Sequence, residues 1–463
     1  MATTHSPAPS ELARMRKVRR AGAIGNFIEY FDNALYAYFA VTIAKLFFPT
    51  VDPVAGLLST FAVFGVAFLI RPVGGVVFGH IGDRLGRKRQ LILALLLMSV
   101  STTILGLLPT YATVGVLAPA LLLVCRLLQG FSVGGESTGA FVLVVEHSPA
   151  GRRGRNTAPL IVSSIAGAAS AALLAMITTS VLSAEALTAW GWRLPFFVAV
   201  PLGIVGLYLR LHIDESEAFK EAAKESAVIN AAAGHRHAPL IQAFRSVPKE
   251  LFILFCWVAL QAVAGYLTVG YMVTHLVQFE KLPMATALGV LVSGMVIAML
   301  ACSLFGRLVD RISRKKFAIM ISVGLAIWVF PAFVMMSWGP IPAAIGLGIF
   351  ASMQYATMIS AGIAIVELFP VDVRASASGF AYSVAFSVFG GTVPFVATYL
   401  SANFGATAPS YYVIVFAVIG ILVARFGLPN AREMDVIADP LEQQSPSNSG
   451  PTATTPLSAH ATD

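Results

Sequence analysis

Long, uninterrupted runs of apolar residues constrain the fold of this chain more than any other feature. Twelve such runs follow one another between residues 22 and 428. A bilayer core of about 30 Å needs about 20 apolar residues per helix, and only helices or closed barrels satisfy their backbone hydrogen bonds there. Because the runs are continuous and do not alternate with polar residues, we predict membrane-spanning helices and not a barrel.

The apolar runs and their breaks predict an all-α membrane protein with two six-helix bundles. We expect an N-terminal bundle over residues 21–211 and a C-terminal bundle over 249–429, joined by a cytoplasmic linker over 212–248. Residues 1–20 are predicted to be a cytoplasmic tail, and residues 430–463 a disordered one, because both are poor in large apolar residues. The predicted spans lie near 22–48, 55–79, 90–109, 117–146, 157–183, 192–211, 250–278, 284–306, 317–338, 341–368, 376–400 and 408–428.

Charged residues are too few to cover a water-facing surface. Only 12% of the residues are charged and 57% are hydrophobic, whereas a soluble domain is typically about 25% charged. The net charge of +8 does not indicate nucleic-acid binding, because the cations lie in short gaps between apolar runs. The three cysteines lie inside apolar segments without metal-type spacing, so we expect neither a metal nor a cofactor.

The placement of lysine and arginine predicts the orientation in the membrane. Cations concentrate at the N-terminus, in the gaps near 80–89, 152–155 and 307–316, and in the linker. The opposite side carries only Lys45, Arg193 and Lys281. By the positive-inside rule both termini are cytoplasmic, and we expect a bacterial inner-membrane protein.

Two motifs recur in the same order in the two halves, which indicates an internal duplication. The decapeptide GHIGDRLGRK at 79–88 returns as GRLVDRISRK at 306–315, and EHSPAGRR at 146–153 returns as ELFPVDVR at 367–374. Each pair follows the second or fourth span of its half. Repeated halves with a binding site at their interface are typical of secondary transporters.

At these residues the chain resembles the major facilitator superfamily, and within it the metabolite:proton symporters. The resemblance extends over about residues 20–430 and rests on GNFIEYFD at 25–32, RPVGG at 71–75, RLLQGFSVGGE at 126–136 and GWRLPF at 191–196. The chain departs from the family pattern at Asn33, Ser137 and Ser313. The resemblance implies a non-enzymatic transporter that works by alternating access, with the bilayer, protons and a small molecule as partners. We expect a monomer.

Five ionisable residues stand well inside predicted spans, and all belong to the N-terminal half: Glu29, Asp32, Arg71, Arg126 and Glu136. Charge in hydrocarbon costs about 2.5–3.5 kcal/mol on insertion scales, so each is a functional candidate. The helical rise of about 1.5 Å per residue places Asp32, Arg71 and Glu136 at a similar depth. We predict that they share one aqueous cavity and that Asp32, Glu29 or Glu136 binds the coupling proton.

An arginine beside such an acid suggests how substrate and proton binding are linked. Burial favours the neutral form of a carboxyl group, whereas a neighbouring arginine favours the charged form. A substrate carboxylate that captures the arginine would therefore promote protonation of the acid. The predicted substrate-binding residues are Arg71, Arg126, Asn26, Asn33, Tyr36, Gln129, Tyr266, Gln354 and Tyr355. A structural role remains open for Arg126, and for Arg71 as an ion-pair partner of Glu29 or Asp32.

Two arginines inside the spans favour a small organic anion as the substrate: a di- or tricarboxylate, an oxo acid or a shikimate-like acid. Alternatives are a proton symporter of zwitterionic osmolytes such as proline or betaine, and an exporter or exchanger of small metabolites. No nucleotide-binding motif occurs outside the spans, so an ion gradient must supply the energy.

Charged residues in the repeated motifs are predicted to close the cytoplasmic side by pairing around Asp83 in the first half and around Asp310 in the second. The alternative is that these cations only set the topology. The predicted gating residues are Asp83, Arg84, Arg87, Lys88, Glu146, Arg153, Asp310, Arg311, Arg314, Glu367 and Arg374.

Overall fold

Twelve helical spans make up almost all of the described chain. The computed structural model describes residues 9–49, 52–85, 87–134, 144–145, 148, 151–212 and 245–428, and these residues contain no strand. Spans 1 to 6 are, in order, Pro9–Tyr38 with Ala40–Phe47; Pro53–Leu69 with Arg71–Leu85; Arg87–Leu107; Leu117–Val133; Arg153–Val181; and Leu194–Phe197 with Ala199–His212. Spans 7 to 12 are Pro248–Tyr266 with Leu267–Tyr271 and Met272–Gln278; Met284–Arg311; Arg314–Met336; Pro340–Leu368; Val371–Ala385 with Phe386–Gly390 and Val393–Phe404; and Pro409–Phe426.

Span 1 begins at Pro9, inside the segment 1–20 that the sequence predicted to be a tail. Proline suits the first position of a helix because its missing N–H has no partner there and its φ is already helical. This start signal lies within a composition that is otherwise typical of a tail. Most of the predicted linker and the predicted tail over 430–463 lie outside the described residues.

The outer surface of the helices is suited to lipid. Within the described residues, ten helices are long and apolar enough to cross a membrane, and span 4 is a shorter apolar helix. Large apolar side chains point outwards along these helices, among them Val181, Ile341 and Phe426, which are each at least 74% exposed. The chain is therefore a multi-pass membrane protein, as the apolar runs predicted.

Helix packing repeats between the two halves. In the first half span 1 packs on span 5, span 3 on span 6, and span 2 on span 4. The corresponding pairs 7 and 11, 9 and 12, and 8 and 10 pack together in the second half. The halves meet through spans 5 and 8 and, at the symmetry-equivalent position, through spans 11 and 2. The duplication seen in the motifs thus extends to the packing.

Three spans are interrupted near the interface between the bundles. Span 2 breaks at Ile70, two residues before Pro72, whose ring has no N–H to give to the carbonyl of Phe68. Spans 7 and 11 contain π-helical turns at Leu267–Tyr271 and Phe386–Gly390. Such turns often occur at functional sites because they displace side chains from the regular helical register.

Candidate functional site

The end of the molecule that carries residues 79–88 and 306–315 joins the two bundles through backbone capping; we call this end the motif face. The carboxylate of Asp310, on span 8, accepts hydrogen bonds from the amides of Gly154 at 2.8 Å and Arg155 at 2.9 Å. These amides belong to the first turn of span 5, where no intrahelical acceptor is available. A negative charge there also suits the helix dipole.

Glu367 adds an ion-pair bridge beside this cap. Its Oε1 lies 2.8 Å from Nη1 of Arg153 on span 5 and 2.7 Å from Nη1 of Arg314 on span 9. Both arginine side chains are at most 14% exposed, so the pairs are shielded from bulk water. The sequence predicted that each half would pair within itself. The pair of Glu367 with Arg314 does lie within the second half. The contacts of Asp310, and that of Glu367 with Arg153, cross between the halves because span 5 begins where span 8 ends.

Close backbone approach makes this crossing possible. A Cβ atom on Gly154 would lie 2.6 Å from the carbonyl oxygen of Gly306, and one on Gly306 would lie 3.0 Å from the carbonyl oxygen of Gly154. Only glycine at both positions lets the two helices approach this closely.

The other predicted gating residues are described in part. Arg374 donates from Nε to the carbonyl oxygen of Phe369 at 3.1 Å, and Arg311 is exposed. Glu146 and the side chains of Asp83, Arg84, Arg87 and Lys88 lie outside the described residues. Their gating role therefore stays a prediction.

A cavity lies between the bundles and is lined by six spans. Its volume is about 50 Å³, counted as the space open to the centre of a water-sized sphere. The lining residues are Asn26, Glu29, Tyr30, Asn33, Arg71, Gly134, Gln261, Gly265, Tyr266, Val269, Gln354, Tyr355, Met358, Tyr382, Ser383 and Phe386.

Arg71 is the cation of the described cavity lining. It follows the break in span 2, is 7% exposed, and its Cζ lies 3.8 Å from the centroid of the Phe68 ring. The hydroxyl of Tyr266 is within hydrogen-bonding reach of the guanidinium, whereas Nε has no hydrogen-bond partner among the described residues. A buried N–H without a partner is costly, and a substrate oxygen would satisfy it.

Unpaired polar atoms divide the cavity into two sides. The first bundle presents Arg71 Nε and Asn26 Nδ2, while the second presents Gln261 Oε1, Gln354 Oε1 and the Tyr355 hydroxyl; within the described residues none of these atoms has a hydrogen-bond partner. The first bundle also contributes Glu29, which gives the described lining one acid beside its one arginine.

Arg126, Gln129, Tyr36 and Asp32 lie within the first bundle and not in the described cavity lining. Nη1 of Arg126 donates to Gln129 Oε1, and Gln129 Nε2 donates to Thr102 Oγ1, both at 2.8 Å. The guanidinium of Arg126 also lies over the Tyr36 ring, 4.3 Å from its centroid. The prediction that Arg126, Gln129 and Tyr36 contact substrate is therefore not supported by this geometry. Arg126 binds Gln129 instead, and the Tyr36 hydroxyl donates to the carbonyl oxygen of Thr60 at 3.0 Å.

Asp32 is 3% exposed, and neither of its carboxyl oxygens makes a hydrogen bond within the described residues. Thr102 and Arg126 are its polar neighbours. The Thr102 hydroxyl also lies within hydrogen-bonding distance of the carbonyl oxygen of Met98, at 3.0 Å. The predicted single cavity shared by Asp32 and Arg71 is thus wrong, and Glu136 lies outside the described residues.

Most of the other predicted contacts do line the cavity: Arg71, Asn26, Asn33, Glu29, Tyr266, Gln354 and Tyr355. Sequence reasoning did not assign a site role to Tyr30, Met358, Tyr382 or Phe386. The one available signal was the spacing of Tyr382 and Phe386, four residues apart, which places both rings on one helix face.

A second set of contacts between the bundles lies beyond the cavity, away from the motif face. Ser387 Oγ donates to the Phe68 carbonyl oxygen at 2.7 Å, so a side chain of span 11 binds the carbonyl that Pro72 leaves without its usual donor. One turn further on, a Cβ on Gly65 would lie 2.8 Å from the carbonyl oxygen of Gly391. The cavity is therefore bounded by bundle contacts on both sides.

Two repeated bundles around a central polar cavity define a secondary transporter of the alternating-access class. The family model for the Major Facilitator Superfamily matches residues 22–382 of this chain. The chain belongs to this superfamily, and it is not an enzyme.

Curated relatives cover most of the chain. It is 36% identical over 427 residues to the glycine betaine/proline/ectoine/pipecolic acid transporter OusA of Dickeya dadantii (strain 3937), covering 89% of this chain and 83% of the relative. It is 35% identical to the proline/betaine transporter of Salmonella typhimurium, with 88% and 82% covered. The proline/betaine transporter of Escherichia coli K12 is 34% identical, with the same coverage of both chains, 88% and 82%.

Solved structures agree on the fold. The partially occluded inward-open form of the xylose transporter XylE from E. coli matches with a TM-score of 0.69 at 18% identity, covering 90% of this chain and 98% of that one. A structure of the same proton:xylose symporter bound to 6-bromo-6-deoxy-D-glucose has a TM-score of 0.70 at 17% identity, with 92% and 99% covered. At this identity the likeness establishes the fold alone.

Replacing Asp310 by asparagine should loosen the motif face, because the amide offers one uncharged acceptor to two helix-terminal N–H groups. Charge-assisted hydrogen bonds contribute about 1.5–3 kcal/mol each. The probe is a cysteine at the cavity position Ser383 in a protein lacking Cys125, Cys256 and Cys302. We expect this cysteine to react with an impermeant maleimide, supplied from the motif face, several-fold faster in Asp310→Asn than in the protein with Asp310 intact. Arg307→Gln, an exposed change three residues earlier, is the control. Equal labelling rates in Asp310→Asn and the control would argue against the cap.

Proposed function

We propose that this protein is a proton-coupled symporter of small zwitterions that carry a carboxylate and an ammonium group, of the proline and betaine type. The observation that carries this proposal is the charge of the cavity. Its described lining holds one arginine, Arg71, and one acid, Glu29. The sequence argument for an organic anion needed two arginines at the substrate, and Arg126 is instead engaged by Gln129 and Tyr36. A balanced pair suits a zwitterion better than a dianion.

The relatives support the same substrate class. The printed names of three relatives at 34–36% identity include proline and betaine. Each is a protein of which this chain covers more than four fifths. Proline, betaine, ectoine and pipecolic acid are small molecules that combine a carboxylate with a positively charged nitrogen, which is the chemistry that the cavity offers to match.

Arg71 is the proposed site for the substrate carboxylate. Its guanidinium stays charged and presents N–H donors in a plane that matches a carboxylate. Stacking on Phe68 fixes the side chain and leaves Nε unpaired. Asn26 Nδ2, the other unpaired donor of the first bundle in the described lining, is placed to assist.

Asp32 is the proposed carrier of the coupling proton. A carboxylate ion without a hydrogen bond in a buried site is costly, and protonation removes most of that cost. Asp32 lies on the same helix as Glu29 and next to Arg126, so movement of span 1 or span 4 would change its surroundings. Glu29, in the cavity lining, is the second candidate.

Alternating access would combine these parts. The two sets of bundle contacts, at the motif face and beyond the cavity, would open in turn while the site stays fixed. With the motif face cytoplasmic in a bacterial inner membrane, as the cation placement predicts, inward proton movement would supply about 2.3 kcal/mol per 100 mV for each charge.

Purified protein in proteoliposomes should take up glycine betaine or proline together with protons. An inside-negative, outside-acid gradient should drive accumulation, with acidification of the lumen when substrate is added. A protonophore should abolish accumulation and leave equilibration. Acidification with a dicarboxylate or a shikimate-like acid, together with no signal from betaine or proline, would restore the organic-anion hypothesis and reject this proposal.

Asp32→Asn should uncouple transport, because an amide cannot take up and release the proton. We expect gradient-driven accumulation of the substrate to fall at least tenfold, while counterflow exchange across the same liposomes continues. Asp52→Asn, which changes an exposed carboxyl group at the start of span 2, should behave like the unmodified protein. Full accumulation by Asp32→Asn, combined with its loss in Glu29→Gln, would transfer the role to Glu29.

A further inference from the structure

We propose that the second bundle provides an aromatic subsite for a methylated, quaternary ammonium group, so that the bound zwitterion bridges the bundles. The subsite consists of Tyr266, Tyr355, Tyr382 and Phe386, which we call the aromatic wall. Arg71, on the first bundle, adjoins this wall, with its guanidinium within hydrogen-bonding reach of the Tyr266 hydroxyl. This inference rests on the proposed function and specifies which residues select the cationic end of the substrate.

The rings of the wall are packed and orientated. Tyr382 stacks on Phe386 with ring centroids 4.6 Å apart, and Tyr266 meets Phe386 edge to face at 5.9 Å. Gln261 Nε2 donates to the Tyr382 hydroxyl at 3.1 Å and holds that ring in place. A quaternary ammonium group has no N–H to donate and is bound through the negative faces of aromatic rings, which is what such a wall offers.

Charge determines which end of the substrate faces the wall. Arg71 lies on Phe68, so the cation of the protein already covers the aromatic face on the first bundle. A substrate ammonium group is repelled by Arg71, and the second bundle adds no cation to the described lining.

The wall should discriminate between two kinds of zwitterion. The secondary ammonium group of proline can donate hydrogen bonds to the unpaired Gln261 Oε1 or Gln354 Oε1. The trimethylammonium group of glycine betaine cannot, and it depends on ring faces. Arg71 is proposed to bind the carboxylate of both substrates. Removal of one ring face should therefore weaken the binding of glycine betaine more than the binding of proline.

Bridging also gives the substrate a role in closure. The carboxylate site belongs to the first bundle and the wall to the second, so only a molecule with both groups contacts both sides of the interface. A ligand shifts a conformational equilibrium only by binding one state better than another. A zwitterion therefore favours the closed arrangement, and a molecule with one of its two charges does not.

The test uses Tyr382→Leu, which removes a ring face, and Tyr382→Phe, which keeps it. Cation–π contacts range from about 0.5 to about 2 kcal/mol, which corresponds to about 2- to 30-fold in affinity. In proteoliposomes we expect Tyr382→Leu to raise the KM for glycine betaine about tenfold and that for proline at most threefold. Tyr382→Phe should change either KM by less than threefold. Equal changes in KM for both substrates in Tyr382→Leu would reject the aromatic subsite.

A second measurement needs no variant. 3,3-Dimethylbutanoate has the shape of glycine betaine with carbon in place of nitrogen, so it keeps the carboxylate and loses the cation. It should inhibit proline uptake by the unmodified protein at least tenfold more weakly than glycine betaine does. Equal inhibition would reject the aromatic subsite while leaving zwitterion transport intact. Failure of the unmodified protein to transport either betaine or proline would instead reject the proposed function.

Discussion

A buried arginine at the boundary between two helix bundles determines the chemistry of this protein. Arg71 is 7% exposed, lies on the ring of Phe68 and keeps its Nε without a hydrogen bond in the described chain. A charge inside a membrane is costly unless it is paired or hydrated. Here the aromatic face and the Tyr266 hydroxyl offset part of that cost. In the proposed function, the substrate carboxylate offsets the remainder.

The break in span 2 connects this site to the movement of the bundles. Pro72 follows Arg71 and withholds the donor that the Phe68 carbonyl would otherwise receive. Ser387, from the other bundle, donates to that carbonyl at 2.7 Å. The segment 68–72 thus places the Phe68 ring against Arg71, and it also forms a contact between the bundles through the Phe68 carbonyl. On the other side of the cavity, Asp310 and Glu367 make the corresponding contacts.

The sequence predicted the fold well because membrane burial leaves few choices for an apolar run. It predicted Arg71 and Asn33 as substrate-binding residues and Glu29 as a proton-binding residue, and all three line the cavity. It placed Asp32 there wrongly, for a geometric reason. Asn26, Glu29, Tyr30 and Asn33 form one stripe on span 1, and at about 100° per residue Asp32 lies about 110° from its centre.

Other parts of the site could not be predicted because they depend on which way a helix faces. A charge inside a span can point to the central cavity or into its own bundle, and the sequence does not distinguish these for Arg126. Its partners, Gln129 and Thr102, come from spans 4 and 3, so the network needs the packed bundle. Tyr266 and Tyr355 of the aromatic wall were predicted as substrate-binding residues. Tyr382 and Phe386 were missed because they resemble ordinary lipid-phase residues until the π-helical turn of span 11 is seen.

The most direct test of the account is calorimetric measurement of glycine betaine binding to the purified protein with Arg71 intact and replaced. Loss of one partner of a buried charge pair costs about 2–5 kcal/mol, so Arg71→Gln should weaken binding by about 30-fold or more. Arg71→Lys keeps the charge and loses the planar geometry, so its affinity for glycine betaine should lie between those of the unmodified protein and Arg71→Gln. Binding by Arg71→Gln within threefold of the unmodified protein would contradict the central role of this arginine.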